Sequence, residues 1–295
     1  MTWLITGGNG QLGTAISEEL FARGIPFTAW TSKNLDISEA AQVFDAVEKF
    51  SPKVIVNCAA WTDVDAAETY EKLASKVNSH GAEKVAIAAR LIGAKLIHIS
   101  TDYVFSGDST KPWTEVDEMS PQSAYGRTKA DGERRVLIAY PEKSSIIRTA
   151  WLYSPWGKNF VKTMVKLALF ENSAVRVVNN QFGQPTSATD LAKQVINFGI
   201  STSINGIYHG TNSGKTSWFE FAQTIFEKVG ADAGRIIPIS SSELSRAAAR
   251  PVYSVLDHQN WSKTSVSPLR DWETALDESL PRIKMAVEGM GDFHA

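Results

Sequence analysis

The sequence predicts an α/β chain built on a doubly wound parallel sheet, and three observations predict it. Apolar strand-like runs alternate with amphipathic helical stretches over roughly the first 150 of the 295 residues. The strands are short, continuous apolar runs, as expected of parallel strands covered on both faces. A cluster of glycines, TGGNGQLG, follows the first strand and opens the first helix, where an open α/β sheet carries its ligand turn.

Each element has a local reason. WLIT is a buried strand, and Gln11 to Arg23 carries Leu12, Ile16, Leu20 and Phe21 at helical spacing before Gly24 closes it. IPFTAW is the second strand. Ser38 is positioned to cap the next helix, which presents Val43, Phe44, Val47 and Phe50 on one face and stops at Pro52. KVIVN is the third strand, a long helical region follows from about Asp63 to Ile92, and AKLIHIS is the fourth strand. A Gly/Pro/Ser-rich loop over 106–123 leads to a helix from about Ala124 to Tyr140 and the strand SSIIRTAW. After Trp151 the rhythm loosens: helical segments near 158–171, 187–199 and 217–229 are separated by RVVN, GIYH and RIIPI, and the stretch after Pro238 is turn-rich. The expected organisation is a dinucleotide-binding domain over 1–150 and a mainly substrate-binding lobe over 151–295, with some later segments returning to the first.

Composition narrows the function. With 43% hydrophobic residues and a formal net charge of -2, the chain supports a sizeable core but no nucleic-acid-binding surface. Its apolar runs are too short to cross a bilayer and its start lacks the features of a secretory leader. The single cysteine, Cys58, fits a reducing compartment and reads as a small core residue. A cytoplasmic enzyme is expected. The five histidines have no metal-ligand spacing, so no metal site is assigned.

Gly7, Gly10 and Gly13 have the spacing G-x-x-G-x-x-G. Lacking Cβ atoms, they let the backbone approach a pyrophosphate, while the helix opened by Gln11, Leu12 and Gly13 aims its N–H groups at that anion. The result is a Rossmann-type dinucleotide site. The second strand has no acid at its tip for a ribose 2′-hydroxyl; Thr31, Ser32 and Lys33 stand there instead, which favours NADPH over NADH unless Lys33 is a solvated loop residue. Asp36 and Ile37 lie nearer the adenine. Asn57, with the small residues Ala59 and Ala60, ends the third strand along the cofactor path.

Tyr125 and Lys129 form Y-x-x-x-K on one face of the helix that follows the loop. An ammonium beside a phenol lowers the phenol's pKa and suits it to proton transfer. Upstream, ISTDYVF ends the fourth strand with Ser100, Thr101 and Asp102 on the same crevice. Thr101, with Ser100 as the runner-up, would share the hydrogen bond to a carbonyl oxygen. Asp102 either holds a substrate hydroxyl or caps the loop. Trp151 is either a sugar- or base-facing wall or core, Trp218 reads as core, and Arg250 is shaped to fork onto a diphosphate.

TGGNGQLG, VNCAAWTDVDAAE, ISTDYVFSG and YGRTKADGE, in this order and spacing, resemble the extended short-chain dehydrogenase/reductases. RTAWLYSPWGKNFVKTM, VVNNQFGQPTSATDLA, GIYHGTNSGKTSWFEFA and AARPVYSVLD resemble, more narrowly, the dTDP-4-dehydrorhamnose reductase family, over nearly the whole chain. The resemblance implies reduction of a 4-keto group on a dTDP-linked deoxysugar by NADPH or NADH. It implies Thr101, Tyr125 and Lys129 as catalytic residues. The dTDP-sugar would be contacted by Thr101, Asp102, Tyr103, Trp151, Asn159 and Arg250. Some family members are homodimers that hold Mg2+ at the interface; no such site can be assigned on this sequence. Trp61 replaces a smaller aromatic residue common in the family, which bears on the sugar accepted. Three other readings of such a chain are a reductase of another dTDP-4-keto-deoxysugar, an epimerase using bound NAD, which the missing acid after the second strand and the short chain disfavour, and a non-catalytic regulatory subunit of methionine adenosyltransferase type.

Overall fold

The computed structural model describes residues 1–202 and 205–291. In chain order the first half runs β1 (Trp3–Thr6), α1 (Gln11–Ala22), β2 (Phe27–Trp30), α2 (Ala40–Phe50), β3 (Val54–Asn57), α3 (Val64–Thr69), α4 (Glu71–Ser75), α5 (Ala82–Ile92), β4 (Lys95–Thr101), α6 (Ala124–Ala139) and β5 (Ser144–Thr149). The second half adds β6 (Leu152–Tyr153), α7 (Phe160–Phe170), β7 (Val175–Val178), β8 (Phe182–Gly183), β9 (Thr186–Ser187), α8 (Ala188–Ile200), β10 (Gly206–His209), β11 (Thr216–Ser217), α9 (Trp218–Lys228), β12 (Ile236–Ile239) and α10 (Trp272–Gly291).

Six strands form one sheet in the order β10-β5-β4-β3-β1-β2, and every pairing is parallel. β1 lies between β2 and β3, so the winding direction reverses at β1, and a ligand crevice opens beyond the carboxyl ends of β1 and β3. Both faces are covered, which is why the strands read as unbroken apolar runs. Trp3 and Ile5 pack with Leu12, Ile16 and Leu20 of α1 and Leu191 and Val195 of α8. Leu4 and Ile55 face the other way, onto Val43 and Val47 of α2, Val85 and Ala89 of α5, and Val136 of α6. The GIYH segment is β10, at the edge of this sheet. A separate core joins α7, α9 and α10 through Val165, Phe221, Phe226, Leu276 and Ile283, beside the parallel pair β7 and β12.

Three local expectations are corrected. Ser38 does not cap α2: its amide donates to Asp36 Oδ1 at 2.9 Å, and Glu39 holds the cap position without a side-chain bond. The region from Asp63 to Ile92 is not one helix. Asp63 caps α3, Tyr70 leaves helical geometry, and α4 passes into a π-turn at Lys76–Gly81 before α5 begins. A tertiary demand accompanies the irregularity: within the π-turn, Asn78 bonds the backbone N–H and C=O of Trp61 and the hydroxyl of Thr128. Finally, the turn-rich reading of the C-terminal part missed α10, a helix of 20 residues that contains Pro281. Its buried side chains Leu276, Leu280, Ile283 and Val287 keep helical spacing across that proline.

Candidate active site

The glycine turn is fixed by contacts that only glycine allows. Gly7 has φ +65°, and a Cβ there would lie 2.8 Å from Ala59 N and the Cys58 carbonyl carbon. A Cβ on Gly13 would lie 2.3 Å from the Gly7 carbonyl oxygen. The turn therefore presses on the end of β3 and on the first turn of α1, whose leading amides lack partners within the helix. Gly10 is the N-cap of α1 and has no side chain to occupy the anion's place. Leu12 turns its side chain into the core. The Gln11 side chain leaves the turn: its Oε1 accepts from Ser154 Oγ at 2.8 Å and from Asn159 Nδ2 at 2.9 Å.

At the tip of β2, Thr31 Oγ1 donates to Asn34 and accepts from the Lys33 amide, leaving Ser32 and Lys33 exposed. Asp36 uses Oδ1 on the Ser38 amide, and Ile37 is buried under Gly81. Asn57 is corrected: its side chain does not line an open path. It is buried, accepts from Thr6 Oγ1 at 2.6 Å, and contacts His98 Nδ1 through Nδ2 at 3.0 Å. Thr6 Oγ1 in turn accepts from the Ala59 amide at 3.3 Å. Asn57 thus orders the crevice from beneath, while Ala59 and Ala60 remain partly exposed at its rim. Cys58 packs against the core, and burial raises its pKa to about 12.

Thr101 reaches the crevice because β4 is long. Asn57, the last residue of β3, is level with His98, so Thr101 extends three residues beyond it, about 10 Å at strand rise. Successive side chains alternate, so Thr101 and Ser100 point oppositely; Ser100 Oγ is buried with no hydrogen-bond partner. Thr101 Oγ1 donates to Asp102 Oδ1 at 2.9 Å and accepts from the Tyr103 amide at 3.3 Å. Tyr125 lies in the first turn of α6, where Ser123 caps the helix through the Gly126 amide. A Cβ on Gly126 would lie 2.2 Å from the Tyr103 carbonyl oxygen, so its absence lets α6 sit against the loop after β4. Tyr103 packs edge-on to Tyr125 with centroids 5.5 Å apart.

The electrostatics correct one expectation. Burial pushes the Tyr125 phenol up to about 12, against a hydrogen bond with Thr101 that lowers it. Lys129 is not among the groups that lower it; its Nζ donates to the Ile99 carbonyl oxygen at 2.5 Å. Burial lowers the Lys129 pKa to about 8, opposed by the negative charge of Glu133 one turn later. Near neutral pH the site therefore combines a protonated phenol with a largely charged ammonium. Burial also raises Asp102 to about 6, opposed by hydrogen bonds from Thr101 and Ser254.

Sequence reasoning missed the support beneath Lys129. Glu133 and Arg148 form a buried ion pair in which Arg148 Nε and Nη2 bind the carboxylate at 2.7–3.1 Å. The guanidinium also lies 4.9 Å from the Phe105 ring centroid. The available signal was spacing: Glu133 stands four residues after Lys129, on the same helix face.

The second half brings its candidates near without leaving them unoccupied. Trp151 has φ +47°. It stacks on Trp218 with centroids 3.5 Å apart and lies against Gly183, so the core reading holds for much of its indole. Asn159 caps α7 through the Lys162 amide and ties that cap to Gln11. Arg250 pairs with Asp65, Nη2 to Oδ2 at 2.7 Å. Among the described residues no group of three or more His, Cys, Asp or Glu side chains could hold a metal ion, and no helix is long and apolar enough to cross a membrane.

Comparison with known proteins agrees with this geometry. A dTDP-4-dehydrorhamnose reductase of Streptomyces griseus is 45% identical over 95% of this chain and 93% of its own. A dTDP-4-keto-6-deoxy-D-glucose reductase of Streptomyces niveus is 41% identical over 95% of this chain and 96% of its own. The crystal structure of a dTDP-4-dehydrorhamnose reductase from Bacillus anthracis, in complex with NADP, superposes with a TM-score of 0.91 at 40% identity, covering 95% of this chain and 98% of that one. The family model described as the RmlD substrate binding domain matches residues 1–285, and the chain belongs to that family.

Proposed function

We propose that this chain reduces the 4-keto group of dTDP-4-dehydro-β-L-rhamnose to give dTDP-L-rhamnose, the last step of dTDP-rhamnose synthesis, with a nicotinamide dinucleotide as reductant. The observation that carries this reading is the pairing of Thr101 with a protonated Tyr125 above Lys129, at the carboxyl end of the sheet that also bears the glycine turn. The substrate class is supported by relatives whose names specify dTDP-4-keto sugars.

The glycine turn fits a pyrophosphate, since its backbone lacks the Cβ atoms that would fill the cradle. The dinucleotide, when bound, supplies the hydride that reaches the sugar's C4. Tyr125 delivers its phenolic proton to the C4 oxygen as charge develops there. Thr101, whose hydroxyl donates to Asp102 Oδ1 in the structure, turns that one proton to the C4 oxygen as charge develops there and gives it a second hydrogen bond. Lys129 is held on the β4 backbone, and its ammonium bonds the ribose of the nicotinamide half when the dinucleotide is present. Arg250 binds the diphosphate, while Tyr103, Trp151 and Asn159 form the wall around the sugar nucleotide.

NADPH is the preferred reductant in this reading, because the tip of β2 offers Ser32 and Lys33 and no acid. Among the described residues no cluster of His, Cys, Asp or Glu side chains could hold magnesium, and no step uses one. A reductase of a different dTDP-4-keto-deoxysugar is the second reading, favoured by the Streptomyces niveus relative and by Trp61. A purely regulatory role has no need of the Thr101, Tyr125 and Lys129 arrangement. The test follows loss of reduced-nicotinamide absorbance with dTDP-4-dehydro-L-rhamnose generated in situ, comparing NADPH with NADH. Rapid oxidation is expected, faster with NADPH. Oxidation only with another sugar of a 4-keto panel would move the assignment to the second reading.

A further inference from the structure

Arg250 is paired with a carboxylate of its own chain. Its Nη2 donates to Asp65 Oδ2 at 2.7 Å, and its Nη1 donates to the Ala248 carbonyl oxygen at 3.2 Å. The other Asp65 oxygen accepts from the Ala248 amide at 3.0 Å. One carboxylate thus holds both the guanidinium and the backbone of its loop. The contact spans 185 residues of sequence, joining α3, just after β3, to the segment that precedes Pro251. Arg246 adds its positive field to Asp65. Arg246 and Arg250 also act on the buried phenol of Tyr103, so this cationic segment stands beside the loop that carries Thr101 and Asp102. Pro251 packs against Gly107 of that loop.

We infer that Asp65 is an internal competitor for the substrate's diphosphate: it occupies the Arg250 guanidinium in the empty enzyme and yields it when the nucleoside diphosphate binds. The inference rests on the reading of Arg250 as the diphosphate-binding residue. Its physical basis is the similarity of the two ligands. A carboxylate and a phosphate each present two oxygens to a guanidinium fork, and the diphosphate carries more charge. The Asp65 carboxylate is 46% exposed, so water can solvate it once it is released. The pair orients the segment before binding, and breaking it subtracts from the affinity for the diphosphate.

The test is a calorimetric titration of the whole protein with dTDP, using Asp65→Asn, Arg250→Gln and the double variant. Asparagine retains an oxygen for the Ala248 amide and removes the charge. Asp65→Asn should tighten dTDP binding by about 2–5-fold, the scale of a partly exposed ion pair. Arg250→Gln should weaken it by about 10-fold or more. On the Arg250→Gln background, Asp65→Asn should change nothing. Weaker or unchanged dTDP binding by Asp65→Asn, with Arg250→Gln still damaging, overturns the competitor role and leaves the diphosphate reading intact. An equal gain on both backgrounds overturns it too, because removal of a general negative charge then accounts for the effect. No effect of Arg250→Gln overturns the diphosphate reading itself.

Discussion

The Lys129 ammonium lies 2.5 Å from the carbonyl oxygen of Ile99, on the backbone of β4 rather than on the phenol of Tyr125. Burial brings its pKa down from 10.5 to about 8, and Glu133 limits the fall. The charged form is present below that value and is lost above it. The value of kcat/KM should therefore be level near neutrality and fall as pH rises through about 8. Lys129→Met should lower it by about 100-fold and lack that limb. The same shift makes the fold more stable between about pH 8 and 10.5, where the folded chain has shed a proton that the unfolded chain retains. Loss of rate in that range is therefore not explained by Lys129-linked unfolding. Steady-state rates across the range check the prediction, and a profile level to about pH 10 would remove the charged lysine from the mechanism.

Tyr125 is kept protonated by burial, with a pKa near 12. That suits an acid in a reduction and excludes its ionisation as the source of a limb near pH 8. Tyr125→Phe keeps the ring against Tyr103 and removes only the hydroxyl. It should lose about 100- to 10,000-fold in kcat while NADPH affinity stays within about 2-fold of the parent. Single-turnover rates and NADPH fluorescence titration separate the two effects; near-normal turnover would refute the role.

Asp102 is a buried carboxylate whose Oδ1 accepts from Thr101. Its pKa is about 6 in the folded chain against 3.8 as the reference. Between those values the folded state holds a proton that the unfolded state has lost, so its contribution to stability falls as pH rises. The full effect is about 3 kcal/mol. Asp102→Asn lacks this dependence. Its stability relative to the parent should improve by most of that amount between about pH 4.5 and about pH 7. Urea unfolding at the two pH values checks it, and a parallel pH response in both proteins would show that Asp102 does not titrate as described.

Much of this was legible because it follows from local rules. The strands of the sheet showed as continuous apolar runs, and Gly7 and Gly13 showed by spacing because backbone contact excludes a Cβ at each. Thr101, read with Ser100 as the runner-up for the bond to a carbonyl oxygen, is the hydroxyl the structure places with Tyr125, while Ser100 Oγ is buried without a partner. What sequence could not show was who occupies each polar group. Asn57 looked like a rim residue until Thr6 and His98 took both ends of its amide. Lys129 looked like a tuner of Tyr125, and its ammonium instead donates to the Ile99 carbonyl oxygen. Arg250 read as a guanidinium for a diphosphate, and Asp65, far away in sequence, holds it. Helix α10 was hidden by Pro281, whose local cost is outweighed by the apolar face it shares with α7 and α9.

Gly10 and Gly13 should separate folding from binding. Gly10 has φ −75°, which alanine adopts freely, and an added Cβ would meet nothing nearer than the Gly7 carbonyl oxygen at 3.2 Å. Gly10→Ala should therefore fold with a stability change below about 1 kcal/mol. Its methyl group would stand where the pyrophosphate must lie, so the Kd for NADPH should rise by about 10-fold or more. Gly13→Ala differs, because its Cβ would collide with the Gly7 carbonyl oxygen at 2.3 Å and force α1 away from the turn. It should cost about 1–3 kcal/mol of stability and lose NADPH binding as well. Thermal melts and NADPH fluorescence on both variants make the comparison. If Gly10→Ala binds NADPH as tightly as the parent, the pyrophosphate does not rest on this turn, whatever happens to Gly13→Ala.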